Sequence, residues 1–456
     1  MSERSFDVVV IGAGPAGEVC AGRLAEAGLE VAVVEESLVG GECSFYGCMP
    51  SKALLRPAQI LAEARRIPGA DAAVAGLDVQ AVLDRRDEVV DHLHDDGQVP
   101  WLTDRGIELV RGRGRLAGER TVRVGDETLT ARRAVVLATG TVAAVPPIPG
   151  LRDARPWTNR EAVTAKEVPP SLVVLGGGTI GVEMATAFAS FGSSVTVIEA
   201  GPRVLAREEP FAGDEVCAAL AEAGVEIRAD TRATAVSRTN GRVTVELDDG
   251  TSVAGDQLLV AVGRRVLSSD LGLEDLGIEA GHAVAVDDAL RVPGHDWLYV
   301  VGDANGRALL THMGKYQARI AADHILGRDV ALRHASDGAL SPRVTFTDPQ
   351  VAAVGHTLAS ALQAGIDARA VDVPTGGNAG GSFVGRGAPG TARIVVDEQR
   401  RVIVGATFTG AEIGEALHAA TIAVVGEVPI DDLWHAVPCF PTRSELWLKL
   451  LEAYGL

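Results

Sequence analysis

The sequence predicts an α/β chain of several domains in which one strand–turn–helix–strand unit occurs twice. Three observations predict it. FDVVVIGAGPAGEVCAGRLAEAGLEVAVVEE, near the start, runs from a continuous apolar stretch through a glycine-rich turn into a helical pattern and a second apolar stretch. SLVVLGGGTIGVEMATAFASFGSSVTVIEA repeats that order in mid-chain. At 456 residues the chain has the length of about three domains, and its aliphatic, Gly and Ala content suits layered α/β packing.

In the first unit, Val8 to Ile11 read as a strand buried on both faces, because the run is apolar without alternation. Gly12, Gly14 and Gly17 then form a GxGxxG turn. Missing side chains there let a pyrophosphate approach the amides at a helix N-terminus. Glu35 ends the second strand, 18 residues beyond Gly17, where a carboxylate can accept from a ribose hydroxyl. In the second unit Gly176, Gly178 and Gly181 repeat the turn, and Glu199 again stands 18 residues beyond the last glycine. A glycine turn without a ligand is the plainer reading of one GxGxxG, but strands and acid fall in register both times. Two Rossmann-like cradles imply two dinucleotides. Glu199 would repel a ribose 2′-phosphate, favouring NAD(H) over NADP(H); Arg203 and Arg207, which follow, read as solvated surface.

LYVVGDANG places Asp303 after a strand and a glycine, suited to a sugar-alcohol chain, although alone it is an ordinary strand-to-turn Asp. VVLATG and LLVAVGRR read as strand ends at Gly140 and Gly263 that return the chain between domains, and Pro146, Pro147 and Pro149 mark a crossing. The expected plan is a discontinuous first domain (1–150 and 264–340), an inserted second (151–263) and a separate α+β segment (341–456).

A formal charge of −19 argues against a nucleic-acid backbone or an anionic membrane surface as partner. No apolar run approaches the ~20 residues that span a bilayer. MSERSFDVVVIGAG passes from a charged tip directly into a strand, leaving no room for a signal peptide, so a cytoplasmic protein is expected. Five cysteines are too few and scattered for a secreted disulfide framework, and no four-ligand zinc pattern accompanies them.

GGECSFYGCMPSK sets Cys43 and Cys48 five positions apart. In a regular helix that spacing separates Cα atoms by roughly 8–9 Å, whereas a disulfide needs about 4.4–6.8 Å. The pair can bridge only where the helix is interrupted. Gly47 gives that freedom, Pro50 suits a helix's first turn, and a helix start would favour a thiolate. Two buried structural cysteines are the alternative reading, weaker beside two dinucleotide cradles.

The stretch resembles the redox motif GGTCxxxGCxPSK of the FAD-dependent pyridine nucleotide–disulfide oxidoreductases, a family that includes dihydrolipoamide dehydrogenase and mercuric reductase. The likeness extends through GGGTIGVE, VGRR, GDANG, FTDPQVAAVG and the terminal PTRSE, covering nearly the whole chain. It implies non-covalent FAD in the first cradle, a nicotinamide cofactor in the second, and a C-terminal domain that makes a homodimer. It further implies that Cys48 is the sulfur nearest the flavin and Cys43 the one that attacks the substrate. Lys52 matches the lysine after PS and Glu183 the glutamate of GGGxxGxE, which pair beside the flavin in the family; as isolated residues either reads as a surface charge.

The match breaks at the end. Family disulfide reductases carry HPTxSE, whose His moves the substrate proton over the partner's disulfide while the Glu orients it. Here Glu445 is present, but Phe440 stands at the His position. His435 is the candidate replacement base, with a packed or capping imidazole as the plainer reading; Cys439 reads as a further thiol or a small buried hydrophobe. His312 is read as structural, and Trp434, Trp447 and Leu448 as packing a dimer interface. The resemblance therefore implies electron flow from NAD(P)H through FAD to Cys43–Cys48, and from there to an unidentified small-molecule disulfide or thiol-reactive acceptor. A quinone or metal-ion reductase working from the flavin, or a non-catalytic redox sensor, are the alternatives.

Overall fold

The computed structural model describes residues 2–456. The chain forms two compact units, one from residues up to Pro50, Asp87–Val142 and Arg264–Ala339, the other from Ser51–Arg86, Ala143–Gly263 and Leu340–Leu456.

In the first unit the apolar run becomes the strand Ser2–Ile11 inside a seven-stranded sheet. The order is Glu108–Arg111, Val31–Glu35, Ser2–Ile11, Glu127–Leu137, Thr121–Val124 and Gly114–Leu116, with Leu298–Val300 also pairing to Glu127–Leu137. The parallel registers Ile11↔Val34, Ile11↔Leu137 and Val300↔Leu137 bring four strand ends level. Their turns, at Gly12, Glu35, Thr139–Gly140 and Gly302–Asp303, consequently open at one edge, which is where ligands of such sheets bind. Val8, Val10 and Val33 bury one face under the helices Pro15–Glu26 and Thr311–Ile325 through Leu24, Ala318 and Ala321. Val9, Ile11, Val135 and Leu298 bury the other.

The second unit holds a four-stranded parallel sheet ordered Glu226–Arg228, Ser194–Ile198, Ser171–Leu175 and Gln257–Val260. It also holds an antiparallel meander over 233–255 and a five-stranded antiparallel sheet over 343–410. Segment 51–86 belongs here because Leu54, Leu55, Val82 and Leu83 enter one core with Val182, Phe188 and Val351. A leucine so buried contributes about 1.5–3 kcal/mol. Arg86, fully buried, donates to the carbonyls of Val163 and Ala165 and satisfies a helix end. Three acids tie the parallel sheet's layer to the antiparallel one. Glu208 pairs with Arg343 at 2.7 Å, Glu209 with Arg393 at 2.8 Å, and Glu215 accepts from the hydroxyls of Thr391 and Thr409.

Candidate active site

The two glycine turns are near copies. Gly12 and Gly176 have φ of +106° and +104°, and a Cβ on either would lie 2.4–2.5 Å from a carbonyl oxygen, of Ala138 or Ala261. A Cβ on Gly17 or Gly181 would lie 1.9 Å from the carbonyl oxygen of Gly12 or Gly176. At Gly14 and Gly178 an added Cβ meets nothing within 4 Å. The first and third glycines are thus required by close backbone approach, and the second leaves open space at a helix N-terminus, as an anion cradle needs. Glu35 accepts from the amides of Ala13 and Ser37, both at 2.7 Å, and Glu199 from those of Gly177 and Gly201, both at 2.6 Å. Each carboxylate is oriented by two backbone amides and keeps lone pairs for a ribose.

Beside the first cradle lies a cavity of about 240 Å³, lined by Gly12, Glu35, Gly114, Thr139, Leu267 and Ser269 among others. Burial pushes the Glu35 carboxyl up. It also pushes up Glu18, in the first turn of the following helix, to about 7, against the pull of Lys315. At the same sheet edge Asp303 accepts from Thr141 Oγ1 at 2.6 Å, and burial raises its carboxyl. Arg264 donates to Thr141 Oγ1 at 2.6 Å and to its carbonyl at 2.8 Å, and pairs with Glu42 at 3.2 Å. Gly140 is left-handed at φ +70°. In the second unit Gly263, at φ +138°, accepts from the amide of Ala144 at 2.9 Å.

Cys43 lies in the five-residue helix Gly41–Phe45, and Cys48 opens the helix Cys48–Arg66. Tyr46, at φ −133° and ψ 3°, breaks the helix between them, as their spacing demanded. Both stand as free thiols. Thr311, first residue of the helix Thr311–Ile325, places its hydroxyl 3.4 Å from the Cys48 sulfur. The Cys43 thiol is pushed up, first by its hydrogen bond to the Cys48 sulfur and then by burial; the Thr311 hydroxyl and the Lys315 charge oppose this. The two sulfurs thus share one hydrogen bond, and it disfavours ionisation of the Cys43 thiol.

Lys52 lies one turn beyond Cys48 on the same helix. Its ammonium donates to both carboxylate oxygens of Glu183, at 2.8 and 3.1 Å. Glu183 also accepts from the amide of Phe346 at 2.9 Å, and the Phe346 ring stands 4.5 Å from the ammonium. With its side chain only 4% exposed, Glu183 needs these partners.

Glu445 opens the helix Glu445–Tyr454 and accepts from the amide of Gly380 at 3.3 Å. His435 is exposed at the C-terminal end of the helix Ile430–Trp434, and Cys439 is exposed rather than a buried hydrophobe. Phe440 is 77% exposed and Val437 81%. Trp447 packs edge-on against Phe408 at 6.0 Å, and His312 is exposed.

Thr311, Phe346, Arg264 and Glu42 were not singled out by sequence reasoning. Three of them sit inside quoted motifs, FTDPQVAAVG, VGRR and GGEC. The acid in GGEC against the usual GGTC was a visible signal that a cation had to answer it.

Comparison with known proteins agrees with this geometry. Residues 6–322 match the model of the pyridine nucleotide-disulphide oxidoreductases, and residues 341–450 match the dimerisation domain of the same proteins. The chain belongs to this family. Such an oxidoreductase is an enzyme using a flavin and a pyridine nucleotide, and the open glycine turns, amide-held carboxylates and cavity described above fit those groups. A dihydrolipoyl dehydrogenase of Chlamydia muridarum is 32% identical over 98% of this chain and 96% of that protein. A mercuric reductase of Bacillus cereus is 29% identical over 96% of this chain and 70% of that protein. Among solved structures, the Cu(II) complex of the HOCl-induced flavoprotein disulfide reductase RclA from Escherichia coli superposes with a TM-score of 0.87, at 28% identity over 98% of this chain and 99% of that one. Function is thus a disulfide oxidoreductase of the dihydrolipoyl dehydrogenase and RclA type. No helix among the described residues is long and apolar enough to cross a membrane.

Proposed function

We propose that the enzyme takes electrons from NADH and stores them as the Cys43–Cys48 dithiol before passing them to a small disulfide or thiol-reactive acceptor. The carrying observation is the sulfur pair itself: two thiols across a broken helix, joined by a hydrogen bond, with a hydroxyl beside them. When bound in the first cradle, FAD supplies the electron transfer between nicotinamide and cysteines. The chain's residues do the rest. Gly12, Gly14 and Gly17 admit the pyrophosphate, Glu35 takes a ribose, and Asp303, flanked by Gly140 and Thr141, takes the sugar-alcohol chain. Gly176, Gly178, Gly181 and Glu199 hold the nicotinamide dinucleotide, with Gly263 closing that strand end. The Glu199 charge favours NADH over NADPH; Glu199→Ala should bring the two KM values together.

On reduction the disulfide gains two electrons and two protons or, with Cys48 as thiolate, one. The Cys43 thiol is pushed up, so its attack on a disulfide needs its proton removed first. Phe440 cannot remove it. Glu445, anchored by the Gly380 amide, and His435 stand five residues either side of Phe440 and are the candidate acid–base groups. Acceptors that need no base react best: a disulfide with a low-pKa leaving thiol, or an oxidised thiol-binding metal ion. The mercuric reductase relative and the RclA copper complex favour the second of these as a companion reading. The 341–456 domain makes the homodimer that brings the Phe440 segment to the partner's disulfide, and the cytoplasm is the expected site of action.

Cys43→Ser tests the proposal. Flavin reduction by NADH should continue while turnover with the disulfide or metal acceptor stops; unchanged turnover would show that electrons leave directly from the flavin, the diaphorase mechanism.

A further inference from the structure

The Lys52–Glu183 pair has a third partner that fixes it from the side. Phe346 is locked through its main chain at both ends. Its amide donates to Glu183 Oε1 at 2.9 Å, and its carbonyl accepts from Gln59 Nε2 at 3.0 Å. Gln59 and Lys52 lie seven residues apart on the helix Cys48–Arg66, two turns along one face. The preceding residue is held too, because Thr345 Oγ1 is 3.2 Å from Thr179 Oγ1, and Thr179 lies one turn before Glu183 on the helix Thr179–Ser190. Two helices therefore grip the segment Thr345–Phe346, and its ring lies over the Lys52 ammonium at 4.5 Å.

This geometry leaves the ammonium with a carboxylate on one side and an aromatic face on another. A cation is attracted to such a face, and most strongly when water is excluded. A lysine stem has four rotatable bonds, and a single carboxylate does not hold it in one place. Charge fixed in position acts on a neighbouring redox group more strongly than the same charge averaged over rotamers.

We propose that Phe346 is a positioning residue for Lys52, and that its ring, through the ammonium, sets the redox equilibrium of the flavin. This rests on the reading, drawn from the family resemblance, that Lys52 serves the flavin. The ring is separable from the rest of the network, since any side chain at 346 retains the amide to Glu183 and the carbonyl to Gln59. Phe346→Leu removes the aromatic face while keeping an apolar side chain, and Phe346→Tyr restores the face.

The test uses the FAD-loaded enzyme carrying Cys43→Ser, so that the flavin alone takes electrons, and measures its equilibrium with NADH and NAD⁺ spectrophotometrically. Bound FAD and melting temperature are recorded alongside. Lys52→Met should move the equilibrium toward oxidised flavin by about tenfold or more, because a cation near the reduced flavin is lost. Phe346→Leu should move it the same way by about three- to tenfold, with bound FAD unchanged, and Phe346→Tyr should stay near the parent. Adding Phe346→Leu to Lys52→Met should change nothing further. If Lys52→Met shifts the equilibrium and Phe346→Leu does not, the proposal is overturned and the reading of Lys52 survives. A Phe346→Leu shift that persists without Lys52 also overturns it, because the ring then acts by another route. A silent Lys52→Met overturns the reading and the proposal together.

Discussion

The glycine cradles and the segment Trp434–Glu445 stand at opposite ends of the proposed electron path, and they are built in opposite ways. The cradles are fixed by backbone: left-handed glycines, carbonyl contacts that exclude a Cβ, and carboxylates tied to amides. The acceptor segment offers side chains, with Phe440 and Val437 more than three-quarters exposed and Glu445 held by one long hydrogen bond. Backbone-built sites tolerate almost no substitution, so their chemistry is set; side-chain sites are revised one residue at a time. In the proposed path, electron supply therefore rests on backbone geometry and electron delivery on side chains.

Four perturbations sharpen or break that contrast, beginning with the largest effect. Gly181→Val forces a side chain against the Gly176 carbonyl; flavin reduction by NADH should slow by about 100-fold or more, with FAD retained. Gly17→Val should instead lose FAD, read as flavin absorbance after gel filtration. Equal loss of FAD in both would contradict the assignment of one dinucleotide to each cradle.

Phe440→His restores a base at the acceptor end. Turnover with a simple alkyl disulfide should rise by about tenfold or more, since a positioned acid–base group contributes ~10²–10⁴. No gain would place the limit elsewhere than proton transfer.

The pH profile follows from Cys43. Its thiol is pushed up, so the reactive thiolate becomes more abundant as pH rises. Turnover with a disulfide should climb from pH 6 to pH 9, whereas flavin reduction by NADH should not follow that climb. Phe440→His should move the rise to lower pH.

The smallest effect concerns the first cradle alone. Glu18, with its carboxyl raised to about 7, binds protons more tightly folded than unfolded. Its contribution to stability is complete below the ordinary carboxylate range and is lost as pH rises through about 7. In urea unfolding of the FAD-free protein, Glu18→Gln should be the more stable form at pH 8 by about 2–3 kcal/mol, and the advantage should vanish near pH 4. A pH-independent difference would mean that Glu18 is not buried as described.

What was legible in the sequence divides along the same line. Glycine spacing, apolar runs and the two terminal acids of the strands are local signals of backbone geometry, and they placed both glycine turns and the broken helix at Cys43–Cys48. Contacts between distant segments left weaker traces. Nothing in FTDPQ says that the Phe346 ring covers Lys52, because that depends on Gln59 and Glu183 fixing its main chain from two other segments. Thr311 was passed over for its neighbour His312, since a hydroxyl has no motif of its own. Leu54, Leu55 and Arg86 join the second unit's core through packing that periodicity alone does not assign to one domain or another.

The central claim is that the cysteine pair, not the flavin, holds the first two electrons. It is tested by adding one equivalent of NADH per FAD anaerobically, alkylating at once and locating the label by mass spectrometry. The account predicts that the Cys43–Cys48 pair becomes labelled while the flavin keeps its oxidised absorbance. A flavin that bleaches at one equivalent, with labelling of Cys43 and Cys48 no greater than before NADH was added, would contradict it.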